Sequence, residues 1–231
     1  MVDAADTPVL AVLTRAPSAR GKTRLFASLG VPSDPGLLTA LLLDTLDGAA
    51  VPGVRRVVAV TPASACDEVR AIVDDVAGAV EVIAQPDGDL GERMRATMAA
   101  LFARGASAVV LIGSDLPQIT AATIVDVCAC VEKDADALVL GPAADGGYYL
   151  IAARRVPDVF SGITWGSAHV LAQTERAAAV SRFRVYHVPT LADVDTADDL
   201  RRASRSGRAP RVAAWLDACA ARLGDRQVRE D

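Results

Sequence analysis

The sequence predicts an α/β fold in one domain, with a mixed, mostly parallel sheet and helices on both faces. Short β-branched runs alternate with longer segments that carry apolar residues at helical spacing, almost from end to end of the 231 residues. This alternation is typical of parallel strands joined by crossover helices. Because no internal repeat, linker or break in composition divides the chain, we predict a single domain over residues 1–231.

The first five predicted strands are dominated by Val, Ile, Leu and Ala, and several of the helices between them begin at a residue that can cap a helix. The strands are Val9–Thr14, Arg56–Val60, Val80–Ala84, Ala108–Ile112 and Ala137–Leu140. The helices are Asp34–Ala50, Ser64–Val76, Gly91–Arg104 and Thr120–Glu132.

The pattern changes after Leu140. A turn-rich stretch from Gly141 to Gly147 leads directly into an apolar run, Tyr148–Ala152. Because so short a connection cannot contain a crossover helix, we predict that this strand runs antiparallel to its predecessor. The remaining predicted elements are a helix at Ser167–Ala179, a strand at Arg184–Val188, a helix capped at Thr196 and a last helix through Trp215 and Leu223. Whether that last helix covers the sheet or pairs with another subunit in a homodimer stays open.

Composition and charge exclude several classes of protein. With 52% apolar residues, 23% charged residues and a net charge of −5, the chain is expected to be folded and to lack the basic surface of a nucleic-acid binder. The N-terminus is acidic where a signal peptide is basic, and no run of about 18 apolar residues occurs, so we expect a cytoplasmic protein with no membrane partner. The four cysteines form no Cys-x-x-Cys pair and are expected to be reduced thiols.

Ligands of open α/β sheets bind at the carboxyl ends of the strands, so the loops after the strands are the candidate sites. The first of these loops, from Arg15 to Arg24, is dense in cations. Lys22 and Arg24 are suited to bind polyphosphate oxygens, assisted by backbone N–H groups at the start of the following helix. The alternative is an exposed basic loop.

Part of the same loop, Gly21-Lys22-Thr23, resembles the end of a P-loop. That motif needs a glycine where Ala16 stands, and the following Pro17 has no N–H group to donate to a phosphate. We therefore reject a P-loop kinase.

A second candidate loop, Gly113 to Pro117, follows the most apolar strand and contains Asp115. A carboxylate at the end of a buried strand is well placed to hold Mg²⁺, a hard cation that prefers one or two carboxylates plus phosphate oxygens. The alternative is that Asp115 caps a turn before Pro117.

Two further loops contain acidic residues. The turn Asp145-Gly146-Gly147-Tyr148 has paired glycines that let a ligand approach the backbone, or it is a plain turn between antiparallel strands. In Asp193-Val194-Asp195-Thr196, Asp195 is our choice for a second metal carboxylate, with Asp193 next, although Asp195 or Thr196 could simply cap the next helix. Asp198 and Asp199 fall in the first helical turn, where negative charge suits the helix dipole without any ligand.

Six segments in this order carry a family resemblance: Arg15-Ala16-Pro17 with Gly21-Lys22-Thr23-Arg24-Leu25, Gly88-Asp89-Leu90-Gly91-Glu92-Arg93-Met94, Gly113-Ser114-Asp115-Leu116-Pro117, Asp145-Gly146-Gly147-Tyr148-Tyr149-Leu150, Trp165-Gly166 and Asp193-Val194-Asp195-Thr196. They resemble the nucleotide-diphospho-sugar transferase superfamily, which has a Rossmann-like GT-A fold. Within it the chain is similar to bacterial transferases related to the molybdenum-cofactor nucleotidyltransferase MobA and the phospholactate guanylyltransferase CofC, of the rSAM/selenodomain-associated type that is often labelled glycosyltransferase. One departure is that Pro17 and a single Gly21 replace the Gly-x-Gly loop of many nucleotidyltransferases.

The resemblance implies a role for each segment. The nucleotide of an NTP or NDP-sugar would be bound by Arg15, Gly21, Lys22, Thr23, Arg24, Gly88, Arg93 and Ser114, with its base or ribose near Gly88 to Arg93. Asp115 and Asp195 would bind Mg²⁺ or Mn²⁺. A small-molecule acceptor would face Asp145, Gly146, Gly147, Tyr148, Trp165, Gly166, Ser167 and His169.

The second loop favours nucleotidyl over glycosyl transfer. Glycosyltransferases of this fold usually carry Asp-x-Asp, whereas Asp115 is followed by Leu116 and Pro117. We therefore predict transfer of an NMP from an NTP to a small phosphorylated or carboxylated acceptor, with release of pyrophosphate and with Lys22, Arg24 and Asp115 as catalytic residues. An NDP-sugar glycosyltransferase and a non-catalytic nucleotide-binding module are the alternatives.

Two observations concern basic residues. An acceptor that is already ionised needs no general base, so we keep His169 only as an acceptor contact and interpret His187, within a strand, as structural. Of the 24 Lys and Arg residues only Lys22 and Lys133 are lysines, a bias that GC-rich coding explains. Lys22 nevertheless falls in the loop assigned to phosphate, where a compact ammonium acts as a point charge.

Overall fold

The protein is described by a computed structural model, which places residues 6–19, 21–74, 76 and 78–230, with side chains described up to residue 221. The described strands are β1 (Thr7–Arg15), β2 (Arg55–Thr61), β3 (Val80–Ala84), β4 (Ala106–Gly113), β5 (Ala137–Pro142), β6 (Tyr148–Ala153) and β7 (Arg184–His187). The described helices are α1 (Thr23–Leu29), α2 (Pro35–Gly48), α3 (Cys66–Val73), α4 (Leu90–Ala103), α5 (Ala121–Lys133), α6 (Val170–Val180), α7 (Ala197–Arg205) and α8 (Pro210–Glu230).

The strands form one sheet in the order β3-β2-β1-β4-β6-β5-β7. All neighbouring pairs are parallel except that β6 is antiparallel to both β4 and β5. The predicted mixed, mostly parallel α/β fold is therefore confirmed, and so is the antiparallel strand after the short Gly141–Gly147 connection. Because β6 runs antiparallel to β4, its first residue, Tyr148, lies at the same end of the sheet as the carboxyl ends of β1 and β4.

Both faces of the sheet are buried by helices. On β1, Leu10 and Val12 pack on one face with side chains of α2, α3 and α5, while Val9 and Ala11 pack on the other with side chains of α4 and α6. All four of these β1 side chains are fully buried. Full burial of one such aliphatic side chain is worth roughly 1.5–3 kcal/mol, so these two layers fix the central strands firmly.

A third apolar cluster lies outside the sheet, where α1, α2, α7 and α8 pack together around residues such as Leu37, Leu200 and Val212. Trp215 on α8 donates from Nε1 to Asp34 Oδ2, 2.9 Å away, at the N-cap of α2. The last helix therefore packs on α2, and a homodimer stays a prediction. Within residues 6–230, no described helix is both long and apolar enough to span a bilayer.

Most element boundaries lie within a few residues of those predicted, and two differences stand out. Helix α1 was not among the predicted helices. The helix predicted at Ser64–Val76 begins only at Cys66, because a turn of 3₁₀ helix, Ala63–Ala65, precedes it, and it ends at Val73.

Candidate active site

Hydrogen bonds to the end of β2 and to helix α3 hold the loop between β1 and α1. Ala16 donates its backbone N–H to Thr61 O at 2.9 Å, and Ser18 donates its backbone N–H to Glu68 Oε1 on α3, also at 2.9 Å. The Ser18 hydroxyl donates to the other oxygen of the same carboxylate. One acidic side chain on α3 therefore fixes the middle of this loop; Arg20 lies outside the described residues.

Lys22 ends the loop as the N-cap of α1, with φ 52° and ψ 39°. This left-handed conformation is costly for a residue with a Cβ, by roughly 1–2 kcal/mol. Its ammonium contacts Asp115 Oδ2 and lies 2.6 Å from Asp195 Oδ1. Burial by itself would lower the pKa of Lys22, but the charges and hydrogen bonds of Asp115 and Asp195 outweigh it and raise that pKa.

Asp115 is positioned by a network of hydroxyl and backbone hydrogen bonds. Thr14, at the end of β1, donates its hydroxyl to Ser114 Oγ at 3.0 Å. The buried Thr45 of α2 donates to Ser114 O at 3.2 Å and accepts from the N–H of Leu116 at 3.1 Å. These contacts hold the chain on both sides of Asp115, and its own carbonyl accepts from Val194 N at 3.3 Å. This hydrogen bond joins the loop that contains Asp115 to the loop Asp193–Thr196.

In the loop Asp193–Thr196, one residue caps the following helix, α7. Thr196 is the N-cap of α7 and forms a capping box with Asp199, whose Oδ2 accepts from the N–H of Thr196 at 2.9 Å. Asp195 provides no cap, so its carboxylate is free to contact Lys22 and, at 3.2 Å, Nη2 of Arg24. The guanidinium of Arg24 is otherwise open to solvent, with its side chain 85% exposed.

The carboxyl group of Asp193 lies in the cleft and has a raised pKa. Burial raises the pKa of this carboxyl to about 7, and the neighbouring charges of Asp115, Asp145 and Asp195 act in the same direction, while Lys22 opposes them. Its Oδ1 atom is buried and has no hydrogen-bond partner among the described residues. One buried ammonium therefore does not balance the negative charge of the carboxyl groups around it.

These loops border a cleft of about 350 Å³, a size suited to a small molecule. Its lining includes these predicted site residues: Arg15, Gly21, Lys22, Ser114, Asp115 and Tyr148. Sequence reasoning missed most of the apolar part of the lining, although the segment Gly88 to Arg93, which contains Leu90, was assigned to the base or ribose. The apolar lining residues include Leu13, Leu38, Leu41, Leu90, Met94 and Leu111. The sequence held one signal for this lining: Leu90 directly follows the helix cap Asp89, in a first helical turn where acidic residues are usual. In the structure its side chain is 41% exposed.

The glycine turn before β6 packs against protein backbone. Gly146 has φ 89°, and a Cβ there would overlap the carbonyl oxygen of Ala168. Its own carbonyl accepts from Leu171 N at 3.0 Å, and Asp145 Oδ1 accepts from Gly147 N at 2.9 Å. The first glycine is thus required by the approach of the segment before α6, a structural reason that differs from the ligand approach inferred from the sequence.

Several predicted site residues do not line the cleft. The indole of Trp165 packs against Gly91 and meets the ring of Tyr148 edge-on, with centroids 6.4 Å apart. Arg93 lies on α4, where Nη1 reaches Gln85 Oε1 at 3.5 Å. The other predicted residues outside the cleft lining are Thr23, Arg24, Gly88, Asp145, Gly146, Gly147, Gly166, Ser167, His169 and Asp195. Of these, Asp195 contacts the cleft residue Lys22 directly, and Arg24 contacts Asp195.

The donor set at the strand ends fits a hard divalent cation. In the described part of the chain, no group of three or more His, Cys, Asp or Glu side chains is arranged as a metal cage. Mg²⁺, however, is commonly held by one or two carboxylates and completes its shell with water and substrate phosphates. Asp115 and Asp195 already share one cation, the ammonium of Lys22, and the partnerless oxygen of Asp193 is a further donor.

Comparison with known families gives one match. The family model described as an uncharacterized protein conserved in bacteria (DUF2064) matches residues 45–167, a segment that includes the Asp115 loop and the Asp145–Tyr148 turn. No curated protein sequence matches the chain.

Solved structures with the same fold extend the comparison to nearly the whole chain. A protein from Desulfovibrio desulfuricans G20, assigned as a nucleotide-diphospho-sugar transferase, is 30% identical, with 93% of this chain and 96% of that chain covered and a TM-score of 0.81. More distant likenesses show the fold alone. CMP:2-keto-3-deoxy-manno-octonic acid synthetase complexed with CTP is 17% identical, with a TM-score of 0.53 and 85% and 96% of the two chains covered. The 4-diphosphocytidyl-2C-methyl-D-erythritol synthase of Anaerococcus prevotii DSM 20548 is 11% identical, with a TM-score of 0.55 and 85% and 94% covered.

Proposed function

The chain belongs to the bacterial family DUF2064 and to the nucleotide-diphospho-sugar transferase superfamily, and on this basis we propose that it is a nucleotidyltransferase acting as one domain. It moves an NMP from an NTP onto a small phosphorylated or carboxylated acceptor and releases pyrophosphate. Within the superfamily, we place it beside the nucleotidyltransferases MobA and CofC, whose motifs its own resemble.

The observation that carries this proposal is the pairing of two distant carboxylates. Asp115 and Asp195 come from separate loops, and both contact Lys22 Nζ. The second residue after Asp115 is Pro117, and Leu116 between them is fully buried, so the Asp115 loop has no second acid to form Asp-x-Asp. A lone strand-end aspartate completed by a distant one is the arrangement that the resemblance associates with nucleotidyl transfer.

In the proposed reaction an acceptor oxygen attacks the α-phosphorus of the NTP. The new bond joins that oxygen to the phosphorus, the α,β-bridging bond breaks, and its electron pair leaves with pyrophosphate. Lys22 and Arg24 stabilise the charge that develops on the leaving group, since both are cations at the edge of the cleft. A phosphate or carboxylate acceptor is already ionised at neutral pH, so no side chain has to remove a proton.

Asp115 and Asp195 would hold a divalent cation, with Asp193 as a further oxygen donor. When bound, Mg²⁺ would neutralise part of the triphosphate charge and favour departure of pyrophosphate. The apolar lining residues Leu38 and Leu41 of α2 and Leu90 and Met94 of α4 would exclude water from the reacting groups, which strengthens the electrostatic interactions inside the cleft.

Glycosyl transfer from an NDP-sugar is the second candidate, favoured by the assignment of the Desulfovibrio relative as a nucleotide-diphospho-sugar transferase. The leaving group separates the two reactions. The protein is incubated with Mg²⁺, a pool of phosphate monoesters and small carboxylic acids, and either the four NTPs or a set of NDP-sugars. Nucleotidyl transfer predicts pyrophosphate from an NTP; NDP released from an NDP-sugar, with no pyrophosphate from any NTP, would overturn the proposal.

One variant distinguishes the proposed nucleotidyltransferase from a non-catalytic nucleotide-binding module. Under our proposal Asp115→Asn abolishes pyrophosphate release and the dependence of nucleotide binding on Mg²⁺. A binding module would keep the same nucleotide affinity in this variant, with or without the metal. Asp198→Asn is the matched control, because Asp198 is an exposed acid that lies outside the cleft, on α7.

A further inference from the structure

We propose that Lys22 is a displaceable internal cation, which holds the position between Asp115 and Asp195 until a nucleotide arrives. A divalent cation would then bind tightly only together with nucleotide phosphates that draw the ammonium away from the two carboxylates. The inference rests on the proposed function and concerns the order in which that same site is filled.

The contacts of the ammonium are those of a bound cation. Nζ of Lys22 touches one oxygen of Asp115 and lies 2.6 Å from one oxygen of Asp195. A lysine ammonium is compact and strongly hydrated, and it sits on a stem of four methylene groups that can redirect it. It can therefore occupy a position between two carboxylates and also leave it, which a residue fixed by bidentate hydrogen bonds does less readily.

The charge balance of the cleft supports an occupant that can be exchanged. Lys22 and Asp193 line the same cleft, and Asp193 Oδ1 is buried with no hydrogen-bond partner among the described residues. The one ammonium thus contacts two carboxylates and leaves this third oxygen without a donor. A divalent cation carries twice that charge, but it cannot join the pair while the ammonium lies between them, because like charges at contact distance repel strongly.

Arg24 provides an internal comparison. It also contacts Asp195, at 3.2 Å, but it has no contact with Asp115 and its side chain is 85% exposed. Removing the Arg24 charge leaves the position between the two aspartates occupied by Lys22. The inference therefore predicts that removing the Lys22 charge strengthens metal binding, whereas removing the Arg24 charge leaves it nearly unchanged, although both cations serve the same proposed reaction.

The test is Mn²⁺ binding to the full-length, chelator-treated protein without nucleotide, measured by the electron paramagnetic resonance signal of free Mn²⁺. We expect weak binding by the wild type, at least about tenfold tighter binding by Lys22→Met, and binding within about threefold of the wild type by Arg24→Met. Adding Asp115→Asn to Lys22→Met should abolish the gain. If Lys22→Met binds Mn²⁺ no more tightly than the wild type, the inference is wrong.

Two further variants keep the test decisive. If Lys22→Met fails to fold, Lys22→Met with Asp193→Asn removes one negative charge from the cleft and should still bind Mn²⁺ more tightly than Asp193→Asn alone. Lys22→Arg keeps the positive charge and should stay as weak as the wild type. The Mn²⁺ measurement and the turnover measurement are independent. Tighter Mn²⁺ binding by Lys22→Met, together with a wild type that releases no pyrophosphate from any NTP, would contradict the proposed reaction alone. Pyrophosphate release by the wild type without that gain in Mn²⁺ binding would contradict the inference alone.

Discussion

Two clusters of charged side chains in this protein are built in opposite ways. At the junction of α2 and α8, the fully buried carboxylate of Asp44 accepts from Nη1 of Arg211 at 3.0 Å and from the backbone N–H groups of Arg211 and Val212 at 3.3 and 3.0 Å. At the cleft, Asp115 and Asp195 share the ammonium of Lys22, and one buried oxygen of the neighbouring Asp193 has no described partner.

The difference separates a structural ion cluster from the cluster for which we propose a function. A buried carboxylate whose oxygens are satisfied stabilises the packing of two helices, and removing it leaves donors without acceptors. A cluster with too few donors costs stability, and such a cost is typically tolerated where a ligand later supplies the missing charge.

The largest effect is expected from removing the shared cation of the cleft. Lys22→Met should lower the rate of pyrophosphate release on the order of 10³-fold, because the leaving group loses its buried countercharge. The measurement is a coupled pyrophosphate assay with saturating nucleotide. Lys133→Met, which removes the other lysine at the exposed end of α5, should leave the rate unchanged; equal losses in both variants would contradict the assignment.

The next effect concerns stability alone. Asp44→Ala should lower the free energy of unfolding by about 2–4 kcal/mol, since it leaves the N–H of Val212 and the Arg211 guanidinium without their acceptor. Urea denaturation measures this loss, and activity per folded molecule should not change. Asp47, which also contacts Arg211 but is 39% exposed, is the control, and Asp47→Ala should cost less than about 1 kcal/mol. Similar losses in the two variants would remove the contrast on the structural side.

A third prediction uses the pKa of Asp193. An unfolded aspartate titrates near about 3.9, whereas burial and acidic neighbours raise the folded pKa to about 7. The folded state therefore binds the proton more tightly, so the stabilisation contributed by this carboxyl is fully present below about pH 4 and is lost as the pH rises to about 7. Asp193→Asn should remove this loss and be more stable than the wild type at pH 8, on the order of 1 kcal/mol, with less advantage at pH 5.

The measurement for Asp193 is urea denaturation in EDTA at the two pH values. Asp198→Asn, which changes an exposed acid on α7, should show no pH-dependent difference from the wild type. A stability gain of Asp193→Asn that is the same at pH 5 and pH 8 would show that ionisation of the buried Asp193 carboxyl is not its cause.

The smallest effect concerns the loop that carries Lys22. Glu68→Ala removes both hydrogen bonds that hold Ser18, so the loop loses its attachment to α3. We expect KM for the nucleotide to rise about three- to tenfold with little change in kcat, as for the loss of one or two partly exposed hydrogen bonds. Steady-state kinetics measure this, with Asp67→Ala as control, because Asp67 on the same helix is 95% exposed and pairs with Arg70. A drop in kcat with an unchanged KM would argue against a positioning role.

Much of this architecture could be predicted because it follows from local rules. The strand-end rule directed attention to Lys22 and Asp115, and the structure brings them into contact. The length of the loop before Tyr148 sufficed to predict an antiparallel strand. The role of Thr196 as a helix cap follows from its residue type and from the acid three positions later.

Other features depend on contacts that the sequence does not display. Helix α1 has seven residues and no side-chain cap, so its start carries little local signal. Leu38 and Leu41 line the cleft, yet they follow the same helical spacing as core residues of α2. That Asp195 contacts Lys22 depends on Asp199 completing the cap of α7, a tertiary detail that spacing alone leaves open.

The central claim is that the strand-end cleft binds a nucleotide through Lys22 and Asp115 with a divalent cation. A thermal-shift titration tests it most directly, using the four NTPs and common NDP-sugars with and without Mg²⁺. We predict that at least one NTP raises Tm only in the presence of Mg²⁺, by roughly 5–10 °C at 100 times its Kd, and that Asp115→Asn loses this shift. If no NTP or NDP-sugar stabilises the wild-type protein, the claim is wrong.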